Sequence, residues 1–203
     1  MPIPFLKFPR LIQLEIFKQL EFTEIFLMSL CSRKVKNMIQ NLNLEAGILV
    51  YGLLDSIVNV AVGPHEGLWQ LQDFANFEHF ESIPKNEMSL MNFEDNTIEC
   101  SYKKEMMNGK ELCIVGYHAS EEETVLKSLQ CHVSSLFRNK PYNLLMVASP
   151  SALARSAAIS HLNEVRIIIE EPQMLDTSQL DDFMNFHPNL DGVQIMHPFT
   201  LPR

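Results

Sequence analysis

Phe8-Pro9-Arg10-Leu11-Ile12-Gln13-Leu14-Glu15-Ile16-Phe17-Lys18-Gln19-Leu20 decides how the rest of the chain is read. Pro9 fixes φ and suits the first turn of a helix, and Leu11, Ile12, Leu14, Ile16, Phe17 and Leu20 follow at spacings of three and four. Two faces of the helix are therefore apolar, and a short helix cannot bury both. Thr23 is a candidate cap for a second helix, since its hydroxyl can accept an orphan backbone N–H. Ile25, Phe26, Leu27, Met28 and Leu30 then come almost without polar interruption, and the segment closes on the basic cluster Arg33, Lys34 and Lys36. The pattern predicts two or three closely spaced helices that form a docking module and need a partner surface.

At 203 residues the chain has room for that module and one larger domain with a core of its own. Charge divides unevenly between them. Residues 1–40 carry six Lys/Arg against three acids, a balance of +3, so the whole-chain value of −9 leaves −12 on residues 41–203. An acidic body repels phosphate backbones, which argues against a nucleic-acid partner. The uncharged stretches fall short of a bilayer span, and Lys7, Arg10, Glu15 and Lys18 interrupt any signal-peptide core, so no membrane partner is expected. Cys31, Cys100, Cys113 and Cys131 are scattered without metal-ligand spacing and read as reduced, mostly buried thiols of a cytoplasmic or nuclear protein.

Beyond the polar junction at Asn41–Glu45 the periodicity turns to two. Ile57–Val62 ends at Gly63-Pro64, Met88–Phe93 leads into Thr97–Tyr102, and Asn108-Gly109 precedes Leu112–Val115. Asn-Gly between strand-like runs favours a type I′ hairpin, because both central positions need positive φ. Residues 51–117 therefore read as an antiparallel meander. The last third alternates helices and strands: a helix opened by Glu121-Glu122-Glu123, a strand over 142–147, a short Ala-rich helix over 151–160, a strand over 165–169 and a helix over 176–185. Leu162-Asn163-Glu164-Val165-Arg166-Ile167 is echoed 28 residues later by Leu190-Asp191-Gly192-Val193-Gln194-Ile195. That interval suits either a leucine-rich-repeat-like unit or parallel strands of a mixed sheet. The fold class expected is α+β, divided as 1–45 docking helices, 46–117 antiparallel meander and 118–203 β/α region.

No catalytic, metal or cofactor site is expected. Ser151 or Ser156 with His161 and Asp176 lacks the strained elbow that presents a nucleophile, and His65 with Glu66 falls short of the three or four ligands a metal needs. His118, His132, His187 and His197 form no constellation, and there is no phosphate-cradling glycine loop. Trp69, Phe74, Phe77 and Phe80 make the densest aromatic patch, readable as core or as a recognition surface.

Phe8-Pro9, Ile12, Leu14, Ile16-Phe17, Leu20, Glu24-Ile25, Ser29 and the Ser32-Arg33-Lys34 corner resemble the F-box, the motif that binds Skp-type adaptors. Phe8 stands where that motif usually has leucine, Ser32 where cysteine is common and Val35 where tryptophan is common. The wording Phe5-Leu6-Lys7-Phe8-Pro9 and Leu30-Cys31-Ser32-Arg33-Lys34 is similar to the nematode-type F-box family. Leu136-Phe137, Val165–Ile169, Gln179–Phe183 and Leu190–Ile195 are similar to a shortened form of its F-box-associated domain. The resemblance implies a non-catalytic substrate-recognition subunit of a Skp–cullin–F-box ubiquitin ligase, binding its adaptor through Phe8, Pro9, Ile12, Ile16, Phe17, Leu20, Ile25 and Met28. The alternative is an adaptor-binding protein whose degenerate body acts as competitor or scaffold. Trp69, Phe74, Phe77 and Phe80 are the candidates for contact with an unknown protein substrate.

Overall fold

The computed structural model describes residues 5–64, 70–94, 96–107, 109–168 and 177–196. Three short helices, α1 (Arg10–Lys18), α2 (Phe22–Cys31) and α3 (Arg33–Gln40), come first. Pro9 stands at the cap position of α1, one residue before the helix. Glu21, not Thr23, caps α2: the Glu21 carboxylate accepts the backbone N–H of Glu24, and the Glu24 carboxylate accepts that of Glu21 at 2.9 Å. The Thr23 hydroxyl instead donates to the carbonyl of Asp73 at 2.9 Å, tying the helices to the body. Ser32 ends α2 in extended conformation and caps α3, its hydroxyl accepting the Val35 N–H at 3.3 Å.

The body is one nine-stranded mixed sheet in the order β4-β5-β6-β3-β2-β1-β7-β8-β9, so the fold is α+β as expected. Its strands are β1 (Ile48–Leu53), β2 (Ile57–Gly63), β3 (Gln72–Phe80), β4 (Met88–Phe93), β5 (Asn96–Met107), β6 (Lys110–His118), β7 (Tyr142–Val147), β8 (Glu164–Ile168) and β9 (Gly192–Met196). The expected single meander is in fact two three-stranded antiparallel units, joined where β3 and β6 run parallel. The segments 46–117 and 118–203 share this sheet, because β1 also pairs in parallel with β7. At the β5–β6 hairpin Met107 faces Lys110 and Gly109 adopts φ +79°, while Asn108 lies outside the described residues.

The 28-residue echo has a direct structural meaning. Glu164 pairs with Gly192, Val165 with Val193 and Ile167 with Ile195, so the echoed residues lie side by side on adjacent parallel strands. Asx residues stack at the foot of the same strands: Asn163 Oδ1 accepts the Asn143 N–H at 2.9 Å and the Asp191 N–H donates to the Asn163 carbonyl at 2.7 Å.

The helix α4 (Glu122–Leu136) carries the chain from β6 to β7 across the face of β3, β2 and β1. β6 and β7 run parallel, so α4 returns the chain along the strand axis, from Glu122 beside His79 to Phe137 against Phe74. Val125, Leu126, Leu129, Val133 and Leu136 are buried beneath it. α5 (Pro150–Arg155) and α6 (Thr177–Phe186) make the later crossovers. All helices pack on one face of the sheet, over a core that runs without a break from Phe17, Phe26 and Ile39 to Phe74, Phe77, Leu145 and Val165. The opposite face holds a small cluster of Ile48, Val50, Ala61 and Leu144. Among the described residues no helix is long and apolar enough to cross a membrane.

Candidate functional site

In α1 three positions run against the usual pattern. Gln13 is buried, its side-chain amide donating to the Phe5 carbonyl at 3.0 Å, while Leu11 is 76% and Ile12 49% exposed. Phe5 sits edge-on to Phe17 at 5.3 Å and fixes the short turn Phe5–Lys7, from which Leu6 points outward at 43% exposure. A buried glutamine beside an exposed Leu-Ile pair is the reverse of what solvent alone would select. Covering a fully exposed aliphatic side chain gains about 1.5–3 kcal/mol, most of it open to Leu11 and about half of it to the half-covered Ile12.

The sequence-predicted adaptor residues divide accordingly. Pro9 and Ile12 are exposed, Phe8 and Ile16 are half-buried, and Leu20 and Met28 are partly buried against the core. Phe17 and Ile25 are closed off inside the chain's own core. Leu6 and Leu11, which were not among the sequence candidates, are exposed beside Ile12. Leu11 lies on one of the two apolar faces that the spacing of α1 shows, but which face turns outward is set by packing on Phe17. Beneath the α1–α2 corner lies a groove of about 420 Å³ lined by Leu14, Phe17, Leu20, Phe22, Leu42 and Leu44, among others.

The inner helices α2 and α3 are built into the body. Phe26 lies against Phe74 and Phe77 at 5.3 and 5.9 Å between ring centres, and Phe22 against Phe74 at 6.1 Å. His132 of α4 stands between Phe26 and Phe93, each at 5.9 Å, fully buried. The Glu94 N–H donates to its Nδ1 at 3.4 Å, which puts the ring proton on Nε2, where it is shared with Ser29 Oγ at 2.7 Å. Ser29 in turn donates to the Phe26 carbonyl at 2.5 Å. This Ser–His pair is therefore the inverse of a nucleophile and its base, because the imidazole donates and the hydroxyl proton is already used. Burial, aided by the nearby Lys36 charge and opposed by Glu94, pushes His132 down to about 4 and keeps it neutral.

The basic corner is split as well. Arg33 and Lys34 are exposed, whereas Lys36 is buried and hydrogen-bonded to Glu94. Burial would raise the Glu94 carboxyl, but the hydrogen bond and charge of Lys36 outweigh it and hold the group below its usual value.

Of the aromatic candidates, Phe74 and Phe77 are fully buried and belong to the core. Phe80 is half-buried over Gly116, where any Cβ would meet its ring at 2.9 Å, with the Lys103 ammonium 4.8 Å from the ring centre. Trp69, His65, Glu66, Asp176 and His197 lie outside the described residues. Ser156 is buried and donates to the Leu153 carbonyl, and Ser151 pairs with Ser149 at 2.9 Å, so neither serine is joined to His161. Cys100 is buried, which pushes its thiol up to about 12, but Cys31 and Cys131 are exposed where burial was expected. No group of three His, Cys, Asp or Glu side chains capable of holding a metal occurs among the described residues.

A helical corner with its inner face merged into a body and its outer apolar face bare has a counterpart among known families: residues 5–46 match the F-box domain. The chain carries an F-box. Comparison with curated proteins and with solved structures gives no match. An F-box implies adaptor binding within a Skp–cullin–F-box ubiquitin ligase, and the F-box here spans α1, α2, α3 and the approach to β1.

Proposed function

We propose that the chain is the substrate-recognition subunit of a Skp–cullin–F-box ubiquitin ligase, acting in the cytoplasm or nucleus. The observation that carries this reading is the F-box match together with the bare Leu11–Ile12 face of α1. The adaptor-contact residues are Leu6, Phe8, Pro9, Leu11, Ile12 and Ile16, with Leu20 and Met28 at the margin and Phe17 and Ile25 as internal supports. The mixed sheet and its helices present a protein substrate, and the chemistry belongs to other subunits. The physical contribution of this chain is proximity, which turns a bimolecular encounter between a substrate lysine and a charged ubiquitin carrier into an intramolecular one. The body corresponds in this reading to an F-box-associated domain of the nematode-type family, supported by the parallel strand pair β8–β9 and by Leu136-Phe137 at the end of α4.

The test is reconstitution with a purified Skp-type adaptor and a cullin, followed by proximity labelling in cells with and without proteasome inhibition. The expected result is a stoichiometric complex and a set of labelled proteins that accumulate only when the proteasome is blocked. Failure to assemble with the adaptor contradicts the receptor reading.

A further inference from the structure

The end of α4 opposite the F-box borders a second surface feature. One cavity of about 390 Å³ lies between α4 and α5, and one of about 170 Å³ between α5 and α6. Both are lined by Ala154, Ala157 and Phe186, so they form one continuous groove. Ala154 and Ala157 are exposed, and their small side chains leave the floor open. The wall contributed by α6 is the stripe Gln179, Asp182, Phe183 and Phe186, spaced as one helix face. Phe183 is sunk in the core, while Phe186 stands at the lip with 66% of its surface exposed.

The rim is acidic. Glu122, Glu123 and Asp182 line it against two lining bases, Lys127 and Arg155, with Glu121 and Asp181 next to them in sequence, and both bases are already engaged. Lys127 lies 2.5 Å from Glu123, and Arg155 Nε donates to Glu122 at 2.6 Å while Nη1 donates to the carbonyls of Leu54 and Asp55. Asp182 has no ion partner among the described residues. The Arg155 clamp fixes α5 to α4 and to the β1–β2 turn, so the groove is pre-formed and little ordering cost falls on binding.

We propose that this groove receives the protein substrate, through a helical segment whose apolar stripe is flanked by Lys or Arg. The inference rests on the substrate-receptor reading. Helix-lined grooves accept helices through apolar anchors at three- and four-residue spacing, and the unpaired Asp182 carboxylate at the acidic rim selects basic flanks. Simultaneous binding of adaptor and substrate is geometrically open. The F-box contacts α4 at His132 and Ser135, whereas the groove uses Glu122, Glu123 and Leu126, roughly 9–20 Å away along the helix.

The full chain in complex with its adaptor is titrated, by fluorescence anisotropy, with a synthetic helical peptide that carries leucines at i, i+3, i+4 and i+7 and lysines elsewhere. A control peptide replaces the lysines by glutamates. The groove predicts saturable one-to-one binding of the lysine peptide only, weakened roughly tenfold or more in each of Ala157→Trp, Phe186→Ser and Asp182→Lys. All three positions are exposed, so melting temperature and adaptor affinity stay unchanged. Equal binding of both peptides, or binding indifferent to all three substitutions, overturns the proposal. So does a concentration-dependent dimer of the unliganded chain that Ala157→Trp abolishes, since the occupant is then a second copy. Adaptor affinity measured on the same samples reports on the receptor reading separately.

Discussion

α1 buries Gln13 and leaves Leu11 and Ile12 in solvent, whereas α2, a few residues later, encloses Ile25, Phe26 and Leu30. Both helices are short, apolar and close together, yet α2 buries most of its apolar residues in the core while α1 commits Phe17 and leaves Leu11 and Ile12 exposed. α2 is held by Phe74, Phe77, Phe93 and His132 of the body, so its apolar residues are satisfied within the chain. α1 is anchored by Phe17 against Phe5 and otherwise faces outward. In the proposed reading the exposed face of α1 is the surface for the adaptor and α2 is part of the scaffold that presents it.

Mutations should separate the two helices by stability first. Phe26→Ala removes a ring from the shared core and should cost about 3–5 kcal/mol in urea unfolding, loosening the F-box and the body together. A loss under about 1 kcal/mol would mean that α2 is not part of the core. The pH dependence comes next. The folded-state pKa of His132 lies below the unfolded value, so its neutral form contributes stability that is complete above pH ~6.5 and is lost as pH falls toward about 4. The loss should approach the order of 3 kcal/mol, and His132→Gln should flatten that part of the stability curve. Glu94, held below its usual value, also loses its contribution in acid as it takes up a proton. A smaller effect attaches to Thr23→Val, which removes the hydroxyl bond to the Asp73 carbonyl and should cost about 0.5–1 kcal/mol, read by hydrogen exchange at α2.

Periodicity made α1, α2, α4, β2, β5, β7, β8 and β9 legible, because each has a regular apolar pattern of period two or near 3.6. It could not show partners distant in sequence. The parallel junction between β3 and β6 and the insertion of β1 between β2 and β7 join segments tens of residues apart, and neither leaves a local mark. β3 itself was hidden in the aromatic patch, since the register shift at Val60–Ala61 and the polar Asn76 blur its alternation. The docking helices could be located, but not their orientation. Phe17 and Ile25 are as apolar as Leu11 and Ile12, and only the position of the sheet beneath them decides which pair is covered. The α4–α6 groove was invisible for the same reason, as its floor is made of alanines that carry no signal alone.

The most direct test of the account is the affinity of the full chain for a purified Skp-type adaptor, compared between wild type and the double variant Leu11→Asp/Ile12→Asp. Both side chains are exposed in the free chain, so unfolding free energy should change by no more than about 0.5 kcal/mol. Adaptor affinity should fall at least about a hundredfold, because each carboxylate would be buried unpaired in the complex. Undiminished affinity in a stably folded double variant would contradict the assignment of α1 as the adaptor-binding face.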